Sequence, residues 1–272
     1  MITTRVLARR FFLLEALIAS VLSILLTQTL CAQSVTPLAP TSVTKLEVGI
    51  SYSRGDYGLA SDTEILLTPV SVVYETPAWT IRATVPVVRL EGPAAFIADG
   101  GPGAGGPARL NNATTTGLSD ATIGVTYKSI RQIGGLHTDL TARVKLPTGN
   151  EDRGLGTGEI DYHAQIDFYQ TFDRTTPYVA LGYRVLGDGR YQLDDGFFAN
   201  AGVGFNVAPG TCIGTSLKWR QQIVTGADDA FEGTLFAYHK LSENLSGTLY
   251  TLKGFSDASA DYGMGLSLIY QF

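Results

Sequence analysis

The sequence predicts an all-β protein, a transmembrane antiparallel up-and-down β-barrel of twelve strands. Three observations predict it. Segments of about ten residues alternate between apolar and polar side chains, which is the pattern of a strand with two different faces. Short and long connections alternate along the chain, and no stretch of 18 apolar residues follows residue 32. Tilted strands of this length can cross the hydrocarbon layer of a membrane.

The first 32 residues are predicted to be a cleaved signal peptide. An apolar run follows a basic head, and Ala32 supplies the small residue expected at a cleavage site. Glu15 inside the run favours removal over the alternative, a retained membrane anchor. The basic head contains Arg5, Arg9 and Arg10.

The predicted organisation therefore has three parts: a signal peptide (1–32), a periplasmic N-terminal segment (33–43) and an outer-membrane barrel (44–272). Without the signal the chain keeps 17 Lys and Arg against 24 Asp and Glu, which argues against nucleic acid as a partner. Export and a barrel fold predict localisation in the outer membrane of a Gram-negative bacterium. The expected partners are outer-membrane lipids, lipopolysaccharide and the barrel-assembly machinery.

Twelve segments have the alternation of a strand. In chain order they are 44–54, 64–74, 79–90, 118–129, 137–146, 159–171, 177–186, 197–207, 212–224, 231–240, 245–253 and 262–272. The last segment places Leu266, Leu268 and Tyr270 on one face, with Ile269 as an apolar exception on the other. In 231–240 and 245–253 the pattern fits either phase, so the inward face of these two strands stays open.

The sixth segment indicates which medium lies against each face of the sheet. It places Ile160, Tyr162, Ala164, Ile166 and Phe168 opposite Glu159, Asp161, His163, Gln165 and Asp167. The charged face cannot be a dry protein core, and the aromatic face is unfavourable in water. Hydrocarbon outside and a hydrated lumen inside satisfy both faces. A soluble sheet with one wet face is the alternative, but it would need a second sheet to cover its apolar side.

The connections support the barrel. Tight turns such as ETPA, DRTT, APGT and LSEN alternate with longer loops, as in barrels with short periplasmic turns and long external loops. The segment 91–117 is the longest connection, and its Gly and Pro content predicts no regular element. We expect a mobile surface loop there, with a constriction folded into the barrel mouth as the alternative.

The predicted inner face carries mixed charge. Cross-strand pairing is expected to place Lys145 near Glu159 and Arg143 near Asp161. Such charges can hold the lumen in shape, or they can form rings that select solutes, and the two roles are compatible. The candidate lumen and selectivity residues are Lys45, Glu47, Arg82, Lys128, Arg143, Lys145, Glu159, Asp161, His163, Asp167, Arg184, Lys218 and Arg220.

The sequence predicts no enzyme, no cofactor and no metal site. The histidines are His137, His163 and His239, and no G-x-S-x-G elbow accompanies them. Ser216 can face the lumen with His163, so a lipid-modifying membrane enzyme is a less favoured third hypothesis. The His and Cys residues lack metal-ligand spacing.

Two segments resemble a known family. GLSDATIGVTYK (117–128) and ARVKLPTGNEDRGLGTGEIDYHAQIDFYQTF (142–172) resemble bacterial outer-membrane proteins assigned to the MetA pathway of phenol degradation. The matching residues are Gly117, Leu118, Ser119 (Gly in the family), Asp120, Lys145, Leu146, Pro147, Thr148, Gly149, Gly154, Gly156 and Gly158. The resemblance spans about residues 64–272. It implies a transporter-like barrel whose role is close to the uptake of aromatic compounds. Turn geometry with positive φ is the simplest reason for the motif glycines.

The expected function is therefore a porin-like channel for passive passage of small solutes. A non-conducting surface or structural barrel, with its lumen plugged by ion pairs, is the alternative. Tyr270 and Phe272 are expected to form the C-terminal signal that barrel-insertion machinery recognises, as in outer-membrane proteins generally.

Overall fold

The computed structural model describes residues 42–97, 105–108, 113–128, 134–187 and 189–272, so the predicted signal peptide lies outside the described residues. The described backbone is almost entirely β-strand, with one short 3-10 helix at Glu151–Arg153. Among these residues, no helix is long and apolar enough to cross a membrane. The strands are β1 Val43–Gly55, β2 Thr63–Glu75, β3 Trp79–Glu91, β4 Ala94–Phe96, β5 Gly105–Ala108, β6 Thr115–Leu118, β7 Ala121–Lys128, β8 His137–Leu146, β9 Asp161–Tyr169, β10 Thr175–Val185, β11 Gly196–Ala208, β12 Thr211–Arg220, β13 Ala230–Lys240, β14 Leu245–Gly254 and β15 Tyr262–Gln271.

The sheet closes on itself. β1 pairs with β2 on one side and with β15 on the other, and every further neighbour along the chain pairs antiparallel. Both β6 and β7 pair with β3, so they form one barrel strand interrupted at Ser119 and Asp120. The described residues thus form the predicted twelve-stranded barrel, in which closure leaves no unpaired sheet edge among the barrel strands.

The apolar face of the barrel points outward and the polar face inward. Along β15, Leu266 and Leu268 are more than 40% exposed, whereas the intervening Ser267 is 1% exposed. Arg82 on β3 donates to Glu47 on β1 across the intervening β2, which identifies the polar side as concave. The alternation read from the sequence therefore has the orientation of a transmembrane barrel, with apolar rows toward lipid.

The phase left open in two strands is now defined. On β13 and β14, Phe236 and Tyr250 lie directly opposite each other and are buried on the inner face. Leu235 and Leu249 are 47% exposed on the outer face. These strands therefore place an apolar pair inside the barrel, which is why their pattern fits either phase.

Inward glycines make room for aromatic rings that lie along the barrel wall. A Cβ on Gly214 would collide with the ring of Phe236 on the neighbouring strand, and one on Gly265 would collide with the Tyr250 ring. Gly182 stands in the same relation to Phe198. Covering a strand glycine with a neighbouring ring compensates for the missing side chain. The rings consequently occupy less of the lumen width than they would if they projected radially.

The two ends of the barrel differ. The turn end carries the short β2–β3, β9–β10, β11–β12 and β13–β14 turns and the strand ends near Val43 and Gln271. The opposite loop end carries the β1–β2, β8–β9, β10–β11, β12–β13 and β14–β15 connections and the segment after β3. An apolar cluster extends through the interior from the loop end to Cys212, beside the β11–β12 turn. It contains Tyr57, Ile65, Leu67, Val88, Leu90, Ala94, Phe96, Leu155, Cys212, Phe236, Tyr250, Leu252 and Ala260.

The expectation that 91–117 lacks regular structure was wrong. The segment contains the short β4–β5 hairpin and β6, and Ala94–Phe96 are at most 2% exposed. The Phe96 amide donates to the Gly154 carbonyl at 2.9 Å, and Ile97 packs on Leu186 and Leu193. We call residues 94–97 the inserted segment because they pack among inward side chains. For these residues the predicted surface loop is replaced by the alternative, a constriction, because burying apolar side chains stabilises the inward position.

Candidate functional site

The barrel interior is charged at the turn end. Lys45 donates to Glu75 at 2.5 Å, and Lys128 donates to the other oxygen of the same carboxylate. Arg82 donates to Glu47 at 2.7 Å. The side chains of Lys45, Arg82 and Lys128 are 19–29% exposed although they point into the barrel, so water reaches the interior here.

Two carboxylates face each other further around the same end. Asp139 on β8 and Asp167 on β9 are directly paired in register and are at most 4% exposed. Gln165 donates to Asp167 at 2.6 Å, and the Tyr169 hydroxyl donates to Asp139 at 3.4 Å. Amide and hydroxyl donors of this kind stabilise carboxylates that are removed from water.

Arg143 and His163 complete this wall. Their positions are directly opposite on β8 and β9, and His163 is 5% exposed. Arg143 was predicted to lie near Asp161, and the observed register pairs it directly with His163, with Asp161 two residues away on β9. The chain leaves the sheet for residues 147–160, and this excursion shifts the β8–β9 register by two residues.

A fully buried ion cluster lies where β8 and β9 reach the loop end. Lys145 is 3.1 Å from Asp120 and 2.8 Å from Asp161, it also donates to the Thr157 hydroxyl, and the three charged side chains are 0% exposed. The expected partner of Lys145, Glu159, instead lies in the connection before β9, half-buried against Gly187. The predicted opposite-charge pair thus exists, but with Asp161 as the acid, for the same register reason.

The buried cluster explains the family-like glycine motif. Asp120 accepts from the Gly149 amide at 2.8 Å and from the Thr157 amide at 3.1 Å, which ties the β8–β9 loop to the break between β6 and β7. A Cβ on Gly156 would collide with this carboxylate. Positive φ, the expected reason, applies to Gly154 (70°) and Gly158 (77°). The motif therefore anchors a loop, and Asp120 is its centre.

The loop end also contains a cavity of about 410 Å³ lined by two buried arginines. Arg184 is 3% exposed and donates to the Gln221 carbonyl at 2.5 Å. Arg220 is 7% exposed and donates to Glu232 at 2.7 Å. Lys218 is half-buried on the inner face, in register with Glu232.

Three acids that hold the predicted cations were not among the predicted lumen residues: Glu75, Asp120 and Glu232. Glu75 continues the odd-numbered inward row of β2, so the alternation could have identified it. Asp120 lies in the quoted motif, but nothing local indicates a contact with Lys145. Glu232 lies on a strand whose phase the sequence leaves open.

The two residues predicted to form the C-terminal insertion signal lie outside the lumen. Tyr270 and Phe272 are 46% and 71% exposed at the turn end, with ring centroids 5.1 Å apart. The Phe272 amide donates to the Thr44 carbonyl, which fixes the final residue to β1. No group of three or more His, Cys, Asp or Glu residues suited to a metal ion occurs in the described ranges.

Comparisons with known proteins match this architecture. A family model described as "Putative MetA-pathway of phenol degradation" matches residues 58–272. The crystal structure of the COG4313 outer membrane channel from Pseudomonas putida F1 is similar, with a TM-score of 0.65, 15% identity and coverage of 88% of this chain and 100% of that one. A NanC porin structure aligns with a TM-score of 0.54 and 10% identity, covering 83% of this chain and 98% of that one. The comparison with curated proteins gave no match.

Proposed function

Because this chain belongs to the MetA-pathway family of phenol degradation, we propose that it is an outer-membrane channel for the passive passage of small solutes. The family description supports aromatic compounds as the solutes. Similarity to an outer-membrane channel and to a porin supports both the channel and its location. The surrounding partners in this proposal are outer-membrane lipids and lipopolysaccharide on the outer face, with the barrel-assembly machinery acting during insertion.

One observation carries the proposal: charged side chains inside the barrel are accessible to water. Lys45 and Glu75 keep 29% and 23% of their side-chain surface exposed while they are paired with each other. A lumen serving only as packing would bury such groups completely, as the Lys145 cluster does. Wet charges on the concave face are typical of a channel wall.

The same contrast divides the candidate selectivity residues by role. The accessible cations Lys45, Arg82 and Lys128 are placed to meet a passing ion. Lys145 and Asp161 hold the loop and are covered on all sides. We assign selectivity to the accessible group, because only charges that a solute can approach raise or lower its local concentration.

A second candidate function, a structural or surface barrel that does not conduct, is favoured by the apolar cluster inside the barrel. Phe96 of the inserted segment packs in the same cluster as Ile65 and Leu90 of the neighbouring wall and Tyr250 of a strand further round the ring. This packing narrows the lumen from the loop side. A barrel closed completely at this level would be a structural or surface protein and would not conduct.

Single-channel recording in planar bilayers distinguishes the two candidates. We expect the purified wild-type barrel to conduct KCl with a small unitary conductance. Replacing residues 93–113 by a short Gly-Ser turn should raise that conductance severalfold, because it removes the inserted segment and keeps β3 and β6 in place. A folded wild-type barrel that never conducts, checked by its shift in gel mobility on heating, would contradict the channel and support the plugged barrel.

A further inference from the structure

The wall of the loop-end cavity has a charged part and an apolar part. Arg184 and Arg220 line it where β10 and β12 reach the loop end. Apolar side chains form other parts of the wall: Leu59, Ile97, Ile223 and Val224. Ile97, Ile223 and Val224 belong to one packed apolar cluster, so packing holds this part of the wall in place.

Both guanidiniums are fixed in position. Glu232 accepts from the Nη2 atom of Arg220, and the Gln221 carbonyl accepts from the Nη2 atom of Arg184. A guanidinium has five N–H groups in a planar fork, so it can hold such an acceptor and also bind the oxygens of a ligand. Binding would need little rearrangement, because the cost of ordering the two long side chains has already been met in the folded protein.

The acidic residues of the cavity lie at its rim. Asp228 and Asp257 are exposed to solvent, where water and salt screen their charges. The arginines are buried, where the effective dielectric constant is lower and charge interactions are stronger, and the same holds for Glu232, which balances the charge of Arg220. Tyr57, another lining residue, is buried in the β1–β2 connection, and this burial raises the pKa of its hydroxyl above an ordinary value that already keeps the phenol neutral at physiological pH.

We infer that this cavity is a binding site for a small organic anion, a carboxylate on an apolar or aromatic body. The carboxylate would lie against Arg184 and Arg220, and the body against Ile97, Ile223 and Val224. About 410 Å³ is ample for a single-ring carboxylate. The inference rests on the proposed channel function, since it assigns the solute class at the loop end of the same lumen, but it is tested by binding and not by current.

Isothermal titration calorimetry on the detergent-solubilised barrel tests the site with three probes. Benzoate has both the charge and the ring, benzyl alcohol has the ring alone, and acetate has the charge alone. We expect saturable benzoate binding that is at least about tenfold tighter than that of either other probe, since each supplies half of the complementarity. Equal binding of benzoate and benzyl alcohol, or no saturation by benzoate, would overturn the inference.

Matched variants locate the site. Arg184→Gln and Arg220→Gln should each weaken benzoate binding at least about tenfold. Arg54→Gln removes an exposed loop-end arginine paired with Asp62 and should leave binding unchanged. Because Arg220→Gln leaves Glu232 buried, Ile223→Glu serves as a second test: it keeps both arginines and should also abolish binding. Loss of binding in Arg54→Gln, or retention in both Arg184→Gln and Ile223→Glu, would refute the assignment.

The two proposals fail in different ways. A barrel that conducts KCl and does not bind benzoate retains the channel function and loses this inference. A barrel that binds benzoate at Arg184 and Arg220 and never conducts retains the binding site and loses the channel.

Discussion

At the scale of single residues, the buried Lys145 cluster shows how far local sequence predicts a contact. The alternation of β8 placed Lys145 inside the barrel, and opposite charge predicted an acid across the β8–β9 pair, which is Asp161. Which acid pairs with Lys145 depends on how many residues of the β8–β9 connection take no part in strand pairing. The second acid, Asp120, comes from 25 positions earlier in the chain and could not be predicted from spacing.

Removing the cation of this cluster should be costly. In Lys145→Met, Asp120 and Asp161 stay buried without their cation, and we expect the free energy of unfolding to fall by about 3–5 kcal/mol. Urea unfolding from phospholipid vesicles measures the loss. The control, Lys253→Met, removes an exposed pair with Asp261 at 4.0 Å and should cost below about 1 kcal/mol. Equal losses in the two variants would show that the buried cluster contributes no more to the free energy of unfolding than an exposed ion pair does.

At the scale of strands, the alternation was sufficient for the barrel elements. The predicted segment 137–146 coincides with β8, and 64–74 differs from β2 by one residue at each end. The inserted segment was missed because β4 is three residues long, too short for a period of two to be visible. The break between β6 and β7 was missed although it shifts the period-two pattern by one residue: Leu118 is exposed before the break, and Ile123 and Val125 are exposed after it.

The pairing of inward glycines with aromatic rings gives a prediction at this scale. Gly214→Ala places a methyl group against the ring of Phe236 and against the Val203 carbonyl oxygen, so the ring or the backbone must move, and we expect a loss of about 1–3 kcal/mol in unfolding free energy. The comparison is Gly124→Ala on the inner face of β7, where the nearest atom to the new Cβ is at an ordinary 3.8 Å. The same vesicle unfolding experiment measures both. A neutral Gly214→Ala would mean that neither the ring nor the neighbouring carbonyl is held against the glycine.

At the scale of the whole molecule, the two faces of the sheet meet different media. Hydrocarbon outside explains the many large apolar side chains left exposed, such as Ile50, Val72 and Phe197. Water and ion pairs inside explain charged residues on the concave face. The sequence predicted this arrangement because period-two alternation needs only local information. The apolar cluster inside the barrel was not predictable, because it joins residues from strands that are far apart in the chain.

Site-directed spin labelling along β15 is the most direct test of this arrangement. Single cysteines at positions 266, 267, 268 and 269, in a background lacking the two native cysteines, would carry nitroxides in phospholipid vesicles. Oxygen, which concentrates in hydrocarbon, should relax the labels at Leu266 and Leu268 strongly, and those at Ser267 and Ile269 weakly. The opposite alternation, or labels at Leu266 and Leu268 that respond to a water-soluble relaxant instead, would contradict a transmembrane barrel with its apolar rows toward lipid.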